Sequence, residues 1–229
     1  MTISRVQDAF DSHSSAGNPT VSVTLPGATG IGNILIGVWK DNNNASTVTM
    51  PAGWTQIGNS PYFAGTGMEL IIGYKVVAAT NESTVVFTCS DDATNKSLYV
   101  VEVSGIDSPF TGITTPNNAA VTSRQLTSTG VLANPDSYII AVVSQSSANG
   151  GGSSVDSGFT VRQEFSNNIV VDKITAVATA LAPTVSWNTA RGAFGLMAIF
   201  PMTSAPPAVG PDVYVYDGAT WVAHTLDKI

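Results

Sequence analysis

Short apolar runs rich in Val, Ile, Thr and aromatic residues alternate along the chain with clusters of Gly, Pro, Asn, Asp and Ser, which is the pattern of strands separated by turns. The runs predict strands over Thr20–Leu25, Asn33–Trp39, Met68–Val77, Thr84–Cys89 and Ser97–Val103. A second set covers Tyr138–Ser144, Phe159–Gln163, Ile169–Ile174, Thr184–Trp187 and Phe194–Phe200. Lys173–Leu181 is alanine-rich enough to suggest a helix, but Val177 and Thr179 alternate with small residues, so strand is preferred. No stretch carries an apolar period of 3.6, and the expected class is all-β.

The two sets run in parallel. Ile34–Trp39 matches Tyr138–Val143, Gly53-Trp54-Thr55 matches Gly158-Phe159-Thr160, and Leu70–Lys75 matches Ile169–Lys173. Thr84–Ser90 then matches Thr184–Thr189, and Leu98–Val103 matches Phe194–Ile199. The spacing drifts only from 105 residues at Gly53/Gly158 to 96 at Leu98/Phe194. About five strands per half are few for an independent core. The pattern therefore predicts one antiparallel jelly-roll-type β-sandwich over residues 1–203, with pseudo-duplicated halves at about 20–110 and 120–203, each giving strands to both sheets. Two tandem small sandwiches are the alternative. The glycines before Trp54 and Phe159 suit a tight turn that feeds an aromatic into the core.

Beyond the sandwich, residues 204–211 read as a proline-rich linker and residues 212–229 as a C-terminal β-hairpin. Asp217-Gly218 between two β runs signals a two-residue type I′ turn. That turn pairs Tyr216 with Ala219, Val215 with Thr220, Tyr214 with Trp221 and Val213 with Val222. Tyr214, Tyr216 and Trp221 then share one face, and Val213, Val215 and Val222 the other. A lone hairpin of this size is marginal in water and both of its faces are apolar, so it is expected to dock, either on its own sandwich or as an assembly element on a neighbour.

Composition narrows the class. Only 11% of the residues are charged, nine Lys plus Arg against sixteen Asp plus Glu, for a net charge of −7. Mean hydropathy is +0.19. Scattered cations in an acidic chain leave no footprint for nucleic acid, the apolar runs are strand-sized rather than membrane-spanning, and 43% hydrophobic residues argue against disorder. Ser, Thr and Asn supply the polarity, which suits an extracellular surface and partner contacts indifferent to salt. Met1–Asp8 has no apolar signal region, so the chain is expected to be made in the cytosol and released by lysis. Cys89 is the single cysteine and reads as a small buried strand residue.

Leu98–Asp107, with Pro51–Thr55 upstream, resembles a β-sandwich type common in virion proteins of tailed actinobacterial phages and found in some secreted bacterial proteins. The resemblance spans roughly residues 30–201, and the Asp217–Val222 segment is similar to Asp-Gly-x-x-Trp-Val hairpins near the ends of tailed-phage structural proteins. It implies a virion location and a structural role: a minor tail or tail-tip component, or alternatively a capsid decoration or head-fibre protein. The implied partners are other virion proteins and further copies of the chain.

Residue chemistry points away from catalysis. Of the two histidines, His13 sits in Asp11-Ser12-His13, where neighbouring strand positions face opposite ways and cannot form a triad; His224 lies in the tail. Glu69 and Glu102 alternate with apolar neighbours and read as solvent-facing; with Glu82 and Glu164 they are the carboxylates available for glycoside hydrolysis. Calcium is the one cofactor considered, at Asp91-Asp92 or Asp41–Asn44, without EF-hand spacing; no resident metal or cofactor is expected. Gly150–Gly152 reads as a flexible loop tip. Binding is the remaining chemistry. The Asp41–Ser46 and Gln145–Ser154 loops are equivalent by the half-to-half match, so Asn42, Asn43 and Asn44 are candidates, and Tyr62 and Phe63 are aromatics suited to a glycan on a host surface. A carbohydrate-binding module is the alternative function. Trp39, Trp54 and Trp187 read as core residues.

Overall fold

A computed structural model of the chain describes residues 2–14, 17–42, 47–63, 68–90, 95–107, 111–115, 120–126, 136–145, 153–165, 167–176, 182–203, 213–216 and 221–224. The secondary structure among them is strand. The first half supplies β1 (Ser4–His13), β2 (Thr20–Thr24), β3 (Ile34–Asp41), β4 (Val48–Thr49), β5 (Thr55–Phe63), β6 (Glu69–Val76), β7 (Thr84–Cys89) and β8 (Lys96–Ser104). The second supplies β9 (Thr111–Thr115), β10 (Ala120–Gln125), β11 (Asp136–Gln145), β12 (Ser154–Val155), β13 (Thr160–Phe165), β14 (Asn168–Ala176) and the long β15 (Thr184–Pro201). Every pairing is antiparallel, and each strand expected from the apolar runs lies within or overlaps one of these elements.

The strands stack in four layers. β1-β8-β3-β6-β5 form a large sheet, with β2-β7-β4 as a small sheet on its outer face. In the second half, the C-terminal part of β15 pairs with β9 and β11, and β14 and β13 extend that sheet; the N-terminal part of β15 pairs with β10 and β12. The two large sheets face each other across a core that includes Ile36, Val38, Ile72 and Val101 on one side and Ile140, Val142, Leu196 and Phe200 on the other. Trp39, Phe87, Cys89 and partly buried Trp54 fill the outer layer of the first half, and Phe159, Trp187 and Val171 that of the second.

The expectation that each half gives strands to both sheets of a single sandwich is corrected. Each half builds its own large and small sheet, as in the tandem alternative. The reason lies in β3, whose eight positions are all buried, and in β11, buried at nine of ten. A strand that hides both faces needs a layer on each side, and two layers cannot provide that.

One strand order recurs in the halves. In the first, large-sheet order is first, eighth, third, sixth, and small-sheet order is second, seventh, fourth. In the second half the same ranks are held by β9, the end of β15, β11 and β14, and by β10, the start of β15, and β12. Local details agree. Gly53 and Gly158 both have positive φ, +83° and +73°, and in each case a Cβ would meet a lysine side chain, Lys75 or Lys173, at 3.4 Å. The Leu25 amide donates to the Ser83 carbonyl, as the Leu126 amide does to that of Pro183, each at 2.9 Å.

In the tail, β16 (Val213–Tyr216) and β17 (Trp221–His224) form the expected hairpin in a different register. Tyr216 pairs with Trp221, Val215 with Val222, Tyr214 with Ala223 and Val213 with His224, so four residues rather than two separate the paired strand ends. The displacement is by two residues, which keeps the strands' alternation in phase. The linker and the Asp217-Gly218 turn lie outside the described residues.

Candidate functional site

One end of the four layers gathers the candidates. β1, β3, β5, β11 and β13 end here, and β6, β8 and β14 begin here. Successive pairings run Phe63–Glu69 and Glu69–Asp41, then Lys40–Ser97 and Lys96–His13, so aromatic, acidic and basic positions line up across the five-stranded sheet. Asp41, Glu69, Lys40 and Lys96 are all buried. The Trp39 indole donates to Asp41 Oδ2 at 3.0 Å. Lys40 Nζ donates to Asn42 Oδ1 and, at 3.3 Å, to the Asn95 carbonyl. Burial pushes the Lys40 ammonium down to about 7, with neighbouring Asp41 offsetting part of the shift. Lys96 Nζ makes no hydrogen bond.

The second half closes the same end with amides. Asn167 Nδ2 donates to the Gln145 carbonyl at 2.6 Å, lies 3.1 Å from Met68 Sδ and reaches 3.5 Å from Asn42 Oδ1. Gln145 is buried with neither side-chain amide atom bonded, and Asn168 Oδ1 is unbonded too. Buried polar groups without partners are costly, so their concentration at a strand end, where the connecting segments leave, marks this end as more than a cap.

Of the residues singled out from sequence, Asn42 is part of this network. Tyr62 and Phe63 lie on β5 opposite Leu70 and Glu69, at the same end. Asn43, Asn44, Asp91, Asp92 and Gly150–Gly152 lie outside the described residues. His13 is here as well, 3.9 Å from the Asp11 carboxylate and 3.4 Å from Asn18 Nδ2. Sequence reasoning missed Lys40 and Lys96, although a Lys-Asp pair closing the fully apolar run Ile34–Trp39 was a visible signal.

Glu102 and Glu69 are corrected from solvent-facing to buried. Glu102 accepts from Gln7 Nε2 and Asn33 Nδ2, both at 2.5 Å, and from the Gly30 amide at 2.8 Å. Its face of the sheet is covered, so alternation there separates two buried layers rather than core from water. The carboxylate pins the segment before β3.

A second polar cluster lies where the halves meet. Asp172 on β14 is buried and takes Arg162 Nε at 2.5 Å on Oδ1 and the Tyr138 hydroxyl at 2.9 Å on Oδ2. From the other half, Arg5 Nε approaches Asp172 Oδ2 at 3.6 Å, while Arg5 Nη2 bonds Asp8 at 2.5 Å and the Tyr99 hydroxyl at 3.3 Å. Burial opposes the Arg5 charge, yet Tyr99, Asp8 and Asp172 outweigh it and leave the pKa raised. Burial also raises both phenols, Tyr138 further through Asp172.

Among the described residues no three His, Cys, Asp or Glu side chains converge as a metal site. No protein-family model, curated protein or solved structure matches this chain.

Proposed function

We propose that the protein is a structural component of a tailed-phage virion, two jelly-roll-type units in tandem, presenting one end for contact and held to the particle by its C-terminal hairpin. The observation that carries this reading is polarity of the molecule. The Asn42, Tyr62/Phe63 and Gln145 connections leave from one end, whereas the chain exits toward its tail at the other. There the Met202 amide donates to the Asp136 carbonyl, at the start of β11, and the Thr203 amide to that of Gly105. A module whose strand connections gather at one end and whose tether leaves from the other is suited to display. The virion setting rests on the resemblance of Leu98–Asp107 and Pro51–Thr55 and on the low charge. A minor tail or tail-tip position is preferred over capsid decoration, and no catalytic role is assigned.

Deleting residues 204–229 tests the anchor. The expected product is a sandwich that still unfolds cooperatively but no longer joins particles or self-associates in sedimentation. Normal incorporation of the truncated chain would sink the reading. A glycan-binding role for the loop end is a second reading, favoured by Tyr62 and Phe63 standing on the same sheet end as Asn42. It requires glycan-array signal that Tyr62→Ala or Phe63→Ala abolishes.

A further inference from the structure

The cluster around Asp172 opens into a cavity of about 220 Å³ on the flank of the molecule, lined by Arg5, Tyr138, Thr160, Arg162, Asp172 and Lys173. Three of the chain's nine cations therefore meet at one cavity, in a protein whose net charge is −7. The lining contains one carboxylate, and it is already engaged: Oδ1 by Arg162 and Oδ2 by Tyr138. Counting Asp8, which answers Arg5, three positive and two negative groups leave a surplus of one positive charge.

The unused hydrogen-bonding capacity has the same sign. Arg162 engages Asp172 through Nε, its one hydrogen bond among the described residues, so the two terminal nitrogens are not spent on the carboxylate. Lys173 Nζ donates once, to the Ser157 carbonyl at 2.6 Å, and stands 5.7 Å over the Phe159 ring, which leaves two of its three protons. Arg5 Nε is buried and makes no hydrogen bond, standing 3.6 Å from Asp172 Oδ2. Gly158 keeps the approach to Lys173 open, since a Cβ there would sit 3.4 Å from Nζ. Donors exceed acceptors, one guanidinium still offers a planar fork, and the volume suits one sugar ring or a smaller ion.

A purely architectural purpose explains this poorly. By the repeated strand order, Asp172, opposite Ile140, corresponds to Tyr74, opposite Ile36, and there a Tyr74–Phe200 ring contact does the joining. The seam can close without charges.

We propose that this flank cavity binds a small oxyanion, a carboxylate or phosphate group on a ligand no larger than a monosaccharide, with the Arg162 fork and the Lys173 ammonium as its primary donors. Asp172 is a positioning residue that orients Arg162 rather than touching the anion. The site is independent of the loop end and of the assembly role, and is tested separately.

The test is a ¹⁵N NMR titration of the full chain at constant ionic strength with glucuronate, inorganic phosphate and, as the neutral control, glucose. Saturable shifts of the Arg162 side-chain N–H and the Gly158 and Thr160 amides are expected with at least one anion, with a Kd of about 1 mM or tighter, and none with glucose. Glucuronate alone identifies a carboxylate sugar site, and phosphate a phosphoryl site. Lys173→Gln and Arg162→Lys should each weaken binding about tenfold while leaving the remaining spectrum folded. No saturation by either anion up to about 50 mM, equal response to glucose, or full affinity in both variants would overturn the proposal.

Discussion

On one side of the central sandwich β1 of the first half lies over β13 of the second, with Phe10 and Phe165 rings 5.6 Å apart. On the other side β9 of the second half meets β5 of the first. β1 and β9 hold the same rank in the repeated order, as do β5 and β13, so the two seams share a backbone plan. Their chemistry differs. Beside the first stand Arg5, Asp172, Tyr138 and Arg162; the counterpart of Asp172 on the second side is Tyr74, set edge-on to Phe200 at 6.1 Å and 78°. A common plan with unlike fillings separates what the fold needs, which is covered sheet edges and interdigitated faces, from what one seam has added.

The largest effect should come from removing the centre of the polar seam. Asp172→Ala removes the counter-charge of Arg162 and the acceptor of the buried Tyr138 hydroxyl, while Arg5 keeps Asp8, and breaking such a network from one side costs about 3 kcal/mol. Tyr74→Ala, at a half-buried position, should cost less, about 1–3 kcal/mol. Urea unfolding of both variants gives the ranking, and an equal or reversed order would erase the distinction. Replacing the cluster together, with Arg5→Met, Arg162→Ile and Asp172→Tyr, should leave stability within about 2 kcal/mol of the parent, because apolar substitutes avoid the desolvation of the charges. A triple variant as unstable as Asp172→Ala would mean that the charges are architecturally required.

The loop end offers a second contrast, with the opposite temper: its lysines are buried, Lys40 held by neutral oxygens and the neighbouring Asp41, Lys96 Nζ without a hydrogen bond. Lys40 titrates near 7 in the folded chain against an ordinary value of 10.5. Between those values the unfolded chain carries a proton the folded one lacks, so unfolding takes up a proton and stability rises with pH across that window. Below about 7 both states are protonated and the burial penalty is fully present. Stability should therefore climb by on the order of a few kcal/mol from pH 7 to 10. Lys40→Met should flatten the climb and raise stability at pH 6; a variant with the parent's slope would assign the titration elsewhere.

The sequence made some of this legible and hid the rest for identifiable reasons. β3, β6, β8, β11 and β14 stand out because they are buried on both faces and read as nearly unbroken apolar runs. β1 does not, since Arg5, Gln7, Asp8 and Asp11 give it a polar profile while Gln7 and Arg5 bond inward to Glu102 and Tyr99. Glu102 misleads for the complementary reason, as polar alternation implies water only where nothing covers that face. Asn42, Tyr62 and Phe63 reach one end because Asn42 follows β3 and Tyr62 and Phe63 close β5, two strands that both pair with the start of β6 there. Asp172 is different in kind: within Ile169–Lys173 no local signal says that its partners are 10, 34 and 167 residues away.

The smallest effect is the most direct check on the likeness of the halves. Gly53 and Gly158 occupy matching turns with φ of +83° and +73°, each packed toward a lysine at 3.4 Å. That distance lets the flexible side chain yield, so the cost of Gly→Ala is chiefly the backbone's, about 1–2 kcal/mol for an L-residue in the left-handed region. Gly53→Ala and Gly158→Ala should thus destabilise by amounts equal to within about 0.5 kcal/mol, and the double variant should sum them, since the turns share no partner. Thermal unfolding of the three variants measures both properties. Equal single costs with additivity would mean that the two turns are the same device used twice. A large inequality would localise a difference between the halves that backbone geometry alone does not contain, with the Phe159–Lys173 stack, 5.7 Å from ring to ammonium, as the first place to look.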